Sequence, residues 1–467
     1  MQFYNSLSRG KEAFKAMEAG HVRMYTCGPT VYNFAHIGNF RAYTFEDILR
    51  RTLAFNGCRV TQVMNLTDVD DKTIRGAKTA AVALKVFTAP YISAFFDDLK
   101  TLNVQPAEVY PAATDHVPEM LALIQRLFER GLAYKSDDGS VYFSVSKLPS
   151  YGKLARLDRE GLRAGARVAQ DEYEKESYGD FALWKAWDEN DGEVAWDSPW
   201  GRGRPGWHLE CSAMAMKYLG ETFDIHTGGV DNLFPHHENE IAQAEGATGK
   251  PFVHLWMHCA HLRVNGEKMS KSLGNFFTLR DLVERGWSGR EIRYVLINGH
   301  YRQALNFTFD ALEAARASLA RIDECVDALT AAAGTVSAGA LPLWGETNRQ
   351  LFAAAINDDL NLPEAFAALF ALVRESNSAL HQSSLKPEEA AATLLAIDEM
   401  DSVLGVIRFE RAEQTVEMTS EVADLVNARA EARAHKNWAE ADRLRKVIAS
   451  YGWEVRDSKE GQKVKRL

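Results

Sequence analysis

The sequence predicts an α/β chain: a parallel-sheet domain carrying an insertion, followed by an α-helical bundle and a small α+β C-terminal domain. Three observations predict it. Residues 22–26, 41–56 and 59–66 read as strand, helix and strand around a glycine-containing loop, and a crossover of that kind joins parallel strands. From Ala311 onward, Leu312, Ala315, Leu319, Ile322, Val326 and Leu329 recur alternately three and four apart, the apolar stripe of a bundle helix. Glu421 to Leu467 hold 11 Lys/Arg against 8 Asp/Glu, so the preceding residues carry −13 while the whole chain carries −10, and the tail has the opposite sign from the rest.

The elements follow in order. The first helix carries Phe45, Ile48, Leu49 and Leu53 on one face. The pattern breaks between about 106 and 206, where a helix at 117–130, an alternating strand at 140–144 and a Trp/Gly/Pro-rich stretch at 196–207 intervene. The α/β alternation resumes with apolar runs at 223–226 and 253–257. Residues 1–105 are therefore assigned to the first half of the sheet domain, 106–206 to the insertion and 207–310 to the second half. The bundle occupies 311–408, with an Ala/Gly-rich connection at 331–340 and further helices at 348–355, 363–376 and 387–404. In 409–467, a polar linker at 411–420 leads to helices at 422–435 and 438–450 and to a hairpin of 453–456 with 463–466 around Ser458-Lys459-Glu460-Gly461.

Composition sets the class. A chain of 467 residues, 46% hydrophobic and 25% charged, can bury a large core. Met1 to Lys11 have neither the apolar core of a signal peptide nor the Arg/Ser bias of a transit peptide, and no run approaches the ~18 apolar residues that span a bilayer. A cytoplasmic protein is expected. Its five cysteines, odd in number and scattered, suit free thiols or metal ligands better than disulfides. The acidic balance argues against a general nucleic-acid coat, yet leaves room for a local basic surface in the tail.

The chemistry-bearing residues fall in two groups. Cys27, Cys211, His236 and Glu240 offer two thiolates, an imidazole and a carboxylate, a donor set suited to zinc, in which the carboxylate leans towards a working rather than a structural metal. His236 and Glu240 are four apart and share one face of a helix, but His237 and Glu240 are three apart, so spacing leaves the choice of histidine open. The second group is His36-Ile37-Gly38-Asn39, just ahead of a helix whose dipole and unpaired N–H groups attract phosphate, with Lys268-Met269-Ser270-Lys271-Ser272, a doubly cationic loop able to close on a triphosphate. Cys27 precedes the first of these segments and the other three candidate ligands precede the second, which predicts one shared pocket for metal and nucleotide.

These segments resemble the class I aminoacyl-tRNA synthetases and, within them, the cysteinyl-tRNA synthetase family. The resemblance rests on Cys27-Gly28-Pro29-Thr30-Val31-Tyr32, His36 to Asn39, Thr67-Asp68-Val69-Asp70-Asp71-Lys72, Gly203 to Met214, Phe234 to Glu240, and Lys268 to Ser272. It implies that the sheet domain is Rossmann-like and catalytic, and that one Zn²⁺ is held by Cys27, Cys211, His236 and Glu240. It also implies His36, Asn39, Lys268 and Lys271 as catalytic groups, with Gly38 and Ser270 as further contacts to ATP, which arrives with Mg²⁺. Gly28, Thr30, Trp207 and Asp231 would line an amino-acid pocket for cysteine. The tail would read the anticodon of tRNA(Cys), and the enzyme would act as a monomer. A cysteine ligase for an amino-sugar acceptor, as in mycothiol synthesis, and a non-catalytic RNA-binding paralogue are the alternatives.

Three positions depart from the family pattern: Asn39 stands where the class signature ends in His, Thr227 where glycine often follows His226, and Val464 where tryptophan is frequent.

Overall fold

Runs rich in Val, Met and aromatic residues form four parallel strands: β1 (His21–Thr26), β2 (Arg59–Met64), β3 (Phe223–Gly229) and β4 (Val253–Cys259). Their spatial order is β4-β3-β1-β2, with every pairing parallel. Successive strand side chains face opposite ways, so neighbours such as Met24 and Tyr25, Val63 and Met64, or Trp256 and Met257 enter two different apolar clusters. One cluster takes in helix α1 (Ile37–Phe55). The other takes in α2 (Trp207–Leu219) and α3 (Glu238–Thr248). The computed structural model describes residues 1–157, 167–168, 179–270, 273–409, 420–435, 437–450, 453–458 and 461–466.

Between β2 and α2, helices Asp71–Ala80, Leu84–Thr101 and Val117–Glu129 precede a mixed sheet in which Ala133–Lys135, Val141–Phe143, Asp180–Ala186 and Gly203–Pro205 pair antiparallel. Helix α4 (Gly289–Ile297) then leads into a helical bundle of α5 (Phe309–Ala333), α6 (Leu343–Asn357), α7 (Leu362–His381) and α8 (Pro387–Leu404). The residues divide into two compact units, Met1–Arg408 and Phe409–Leu467. The second holds α9 (Ser420–Ala434), α10 (Trp438–Ser450) and the antiparallel pair β5 (Trp453–Ser458) and β6 (Gly461–Arg466) around Val422, Val426, Ile448 and Val455. Val464, the departure from the family pattern, pairs with Val455 in that ladder. The linker residues 411–419 and the turn residues Lys459 and Glu460 lie outside the described residues.

Helix α1 differs from its expected form in two ways. It starts four residues earlier than the apolar stripe suggests, at Ile37, because His36 caps it: the imidazole accepts from Asn39 N while the Asn39 side chain accepts from His36 N. Its polar face is also buried. Asp47 accepts from Arg51 at 2.8 Å and from Arg293 of α4 at 2.6 Å, and Arg293 donates onward to Leu404 O at 2.9 Å and Leu102 O at 3.0 Å. These charges tolerate burial because each is paired. The helix that presents His36 is thereby tied to α4 and to the end of α8.

Candidate metal and nucleotide site

Ligands of open parallel sheets sit beyond the carboxyl ends of the strands, where the winding reverses. Here the reversal lies between β1 and β3: β1 connects through α1 to β2, whereas β3 connects through α3 to β4 on the other side. Cys27 follows the last residue of β1, and Asp231 lies two residues past the end of β3. The candidate residues converge on this crevice from elements far apart in sequence.

Cys27, Cys211, His236 and Glu240 present donor atoms that all lie within 4.8 Å of one another, and all four residues are buried. Cys211 comes from the second turn of α2. His236 comes from the irregular turn Leu233–His237 that winds into α3, so the α-helix proper begins only at Glu238, yet the four-residue spacing holds: His236 Nε2 is 3.1 Å from Glu240 Oε1. A second group, Cys27, His226, His237 and Glu240, meets the same distance test, with Cys27 Sγ 3.2 Å from His237 Nε2. Both histidines left open by the spacing therefore reach the cluster. Only the first group brings two thiols together.

Outer contacts orient these groups. His226 Nε2 lies 2.9 Å from Glu240 Oε2, and His208 Nδ1 lies 2.9 Å from His236 Nδ1. A metal on His236 Nε2 requires that ring to carry its proton on Nδ1, which then donates to His208. His237 is held through Nδ1 by His258 at 2.8 Å, and His258 meets Ser6 Oγ at 2.7 Å. Burial pushes His208, His236 and His258 down to about 3, and His237 also falls well below the ordinary range, so the imidazoles are neutral as metal ligation demands. The Cys27 thiol is raised well above its usual value by its hydrogen bond with Cys211 and by burial, and Cys211 is raised by burial. Without a cation the pair stays protonated; a metal would supply the charge that ionises it.

The two candidate nucleotide segments meet one another. A Cβ on Gly38 would lie 2.7 Å from the terminal methyl of Met269, so the two segments approach closely here and a larger residue would displace that methionine's end. Asn275 shapes the turn by accepting from Ser270 N at 2.8 Å and donating to Lys268 O at 3.2 Å. Ile37 N donates to Phe277 O at 3.0 Å, and the His36 ring stands edge-on to Phe276 at 5.2 Å. The imidazole of His36, lowered by burial, is neutral, and because Nδ1 accepts from Asn39 the proton sits on Nε2 as a donor. Asn39 uses its side-chain carbonyl, not its NH₂, in the cap. Lys268 is exposed, and Lys271 and Ser272 lie outside the described residues.

The expected pocket residues take distinct places. Trp207 stacks on the His236 ring at 4.5 Å. The exposed Asp231 acts electrostatically on His36. Thr30 bridges to Thr67 as the chain beyond β1 continues parallel to that beyond β2. Gly28 donates to Asn65 Oδ1 at 2.9 Å, and a Cβ there would overlap the Asn65 carbonyl oxygen. Gly28→Ala is therefore expected to force the segments apart and to cost roughly 1–3 kcal/mol of stability. A thermal melt matching the parent's would refute that steric reading.

Thr227 has a partner of its own: its hydroxyl donates to Glu46 Oε1 of α1 at 2.9 Å, within a regular strand. Sequence reasoning missed His208, His226 and His258 as supports of the cluster and weighed His237 only as an alternative ligand; the available signal was that six of the 13 histidines lie between 208 and 258.

Comparison with known proteins decides the family. Residues 13–317 match the model for the tRNA synthetases class I (C) catalytic domain, 351–408 the DALR domain, and 415–464 the cysteinyl-tRNA ligase anticodon binding domain. The cysteine–tRNA ligase of Protochlamydia amoebophila is 49% identical, covering 100% of this chain and 98% of its own length, and that of Chlamydia felis is 50% identical with the same coverage. The chain belongs to the cysteinyl-tRNA synthetase family. As a member it is an ATP-dependent ligase with a class I catalytic region. The fold is shared more widely: Mycobacterium tuberculosis methionyl-tRNA synthetase in complex with methionyl-adenylate superposes with a TM-score of 0.59 at 14% identity, covering 83% of this chain and 90% of that one. A LeuRS–tRNA–LeuAMS complex from Agrobacterium radiobacter K84 gives 0.61 at 11%, covering 84% and 85%. Among the described residues, no single helix is long and apolar enough to cross a membrane.

Proposed function

We infer that this chain is a cysteine–tRNA ligase that activates cysteine with Mg²⁺-bound ATP and transfers it to tRNA(Cys), acting as a cytoplasmic monomer. The observation that carries the reading is the meeting of two thiols, an imidazole and a carboxylate at the strand-end crevice, together with the juxtaposition of the Gly38 and Met269 segments. The donor set fits zinc: it is buried, its imidazoles are neutral, and its Cys₂/His/carboxylate composition matches that ion's preferences. Cys27, Cys211, His236 and Glu240 would hold it, in preference to the second group, because a second thiolate binds zinc better than a second imidazole. Zinc, when bound, supplies a soft Lewis acid for the substrate's sulfur, which a serine hydroxyl cannot match.

The chain's own residues do the rest. Trp207, Gly28, Thr30 and Asp231 bound the amino acid and present its carboxylate to the α-phosphorus of ATP. His36 Nε2–H and the Asn39 NH₂ donate to phosphate oxygens from the start of α1. Lys268, Ser270 and Lys271 approach from the facing loop, and Gly38 lets the phosphates come close to the backbone. Attack releases pyrophosphate and leaves cysteinyl-adenylate; the terminal ribose hydroxyl of the tRNA then displaces AMP. No protein nucleophile takes part, so positioning and charge stabilisation supply the rate.

Two measurements test this. Cysteine-dependent charging of tRNA, run beside the same assay with an amino-sugar acceptor, should label the tRNA alone; labelling of the sugar alone would make the chain a small-molecule ligase. Lys271→Ala, which removes a cation that acts as charge develops, is expected to lower the single-turnover rate of adenylate formation about 100-fold with cysteine affinity little changed. An unchanged chemical rate with weakened cysteine binding would give Lys271 another role.

A further inference from the structure

The two candidate nucleotide segments share more than the approach of Gly38 to Met269. Beyond the Lys268 loop the chain runs back alongside the residues that lead into α1: Ile37 N donates to Phe277 O at 3.0 Å, and His36 bridges to Thr278 in antiparallel register. Two residues further out on each side, the Arg280 guanidinium lies over the Phe34 ring, 5.3 Å from its centroid. Arg280 belongs to the short helix Leu279–Glu284, whose start is fixed by reciprocal bonds between Thr278 and Asp281.

Phe34 and Arg280 both meet one face of a third element. In helix Leu84–Thr101, Tyr91, Ala94 and Asp98 are spaced three and four apart and so share a face. Phe34 stands edge-on to Tyr91 at 5.3 Å, while Arg280 donates to Ala94 O at 3.2 Å and pairs with Asp98 at 3.3 Å, a carboxylate with 5% side-chain exposure. The exposed Asp97 lies 3.8 Å from the same nitrogen. A guanidinium can make these contacts at once, because its flat face suits an aromatic ring and its edge a carboxylate.

We propose that Arg280 is a positioning residue for adenylate formation: by joining Phe34 to Asp98 it holds the root of the Lys268 loop against the segment that presents His36. The proposal rests on the nucleotide reading above and deepens it. His36 and Asn39 are fixed by α1, whereas the loop's groups reach the same phosphates from a turn that must be anchored at its exit if the two sets are to converge. A misplacement of about 1 Å between them is enough to cost on the order of 100-fold in rate. Arg280 supplies the anchor without touching ATP.

The test compares Arg280→Met with Arg280→Lys in the full chain, by single-turnover formation of cysteinyl-adenylate at saturating ATP and cysteine. Arg280→Met keeps an unbranched apolar stem and loses the charge and the fork. It is expected to lower the rate about 10–100-fold, with the dissociation constants for ATP and cysteine within about threefold of the parent's. Arg280→Lys should recover only part of the rate, since an ammonium cannot lie on the ring and meet the carboxylate together. Phe34→Leu should also slow the step, and adding it to Arg280→Met should slow it little further, because both changes open one latch. An unchanged rate in Arg280→Met would overturn the proposal. So would weaker ATP binding at an unchanged rate, which marks a direct contact, or a fall in rate matched by losses of cysteine affinity and of Tm, which marks a general structural role. A parent that forms no cysteinyl-adenylate would instead refute the nucleotide reading itself, so the two failures are distinguishable.

Discussion

Cys211→Ser is expected to lose zinc and, with it, the preference for cysteine over serine. Cys211 sits on α2 one turn after Trp207 and is the only residue that brings a second thiol to Cys27. A serine hydroxyl there would be neutral, and removal of one soft ligand from a four-donor set leaves the site with one thiolate, a poor match for zinc. If the metal reads the substrate's sulfur as proposed, kcat/KM for cysteine should fall on the order of 10³-fold, about 4 kcal/mol of transition-state stabilisation. The KM for ATP should change far less, since the contacts proposed for His36, Asn39 and the Lys268 loop would be untouched. Metal content by elemental analysis and cysteine-dependent pyrophosphate exchange give the two readouts. Full zinc occupancy with normal exchange would remove the metal from substrate selection.

What the sequence made legible follows from how unusual each residue is in its surroundings. Cysteines with a histidine and a carboxylate at helical spacing carry ligand chemistry in their identity, so Cys27, Cys211 and Glu240 could be singled out before any geometry was known, while only the family resemblance preferred His236 to His237. Tyr25, His226 and His258 could not be singled out in that way. Each lies in a strand directly after an apolar residue, where an aromatic or histidine side chain looks like ordinary core, and only the cross-strand register reveals that Tyr25, His226 and Trp256 form one row. The start of α1 was hidden for a related reason. Ile37-Gly38-Asn39 reads as a loop because Gly and Asn disfavour helices, whereas the reciprocal bonds of His36 and Asn39 offset that preference. Apolar periodicity likewise found the core face of α1 but gave no sign that Asp47 and Arg51 on its polar face would be covered, since their burial depends on Arg293 some 240 residues later.

Thr227 illustrates the limit of family pattern as a guide. A glycine often stands there, which raised the question of whether the backbone needs one. The strand is regular at Thr227, and its side chain pairs with Glu46, whose carboxyl group burial pushes well above the usual range. The hydroxyl therefore compensates a buried acid on α1, and the two residues are best judged together: Thr227→Gly would leave Glu46 without its donor.

A chain ending at Glu410 is expected to keep making cysteinyl-adenylate while charging of tRNA(Cys) falls on the order of 10³-fold, the usual scale separating specific from non-specific nucleic-acid binding. The candidate zinc and nucleotide residues all precede Asn275, and both apolar clusters of the first unit close within residues up to Ile407. The second unit has its own small core of Val422, Val426, Ile448 and Val455. It also carries an excess of basic residues, 11 Lys/Arg against 8 Asp/Glu from Glu421 onward, and matches an anticodon binding domain. Phosphate contacts from such a surface should make charging by the full chain salt-sensitive, and the truncated chain should lose much of that sensitivity together with its affinity. Pyrophosphate exchange and aminoacylation would be assayed side by side, after circular dichroism confirms that the shortened protein is folded. If both activities fell in parallel, the second unit would be supporting the catalytic region; if charging persisted at full rate, the anticodon would have to be read elsewhere.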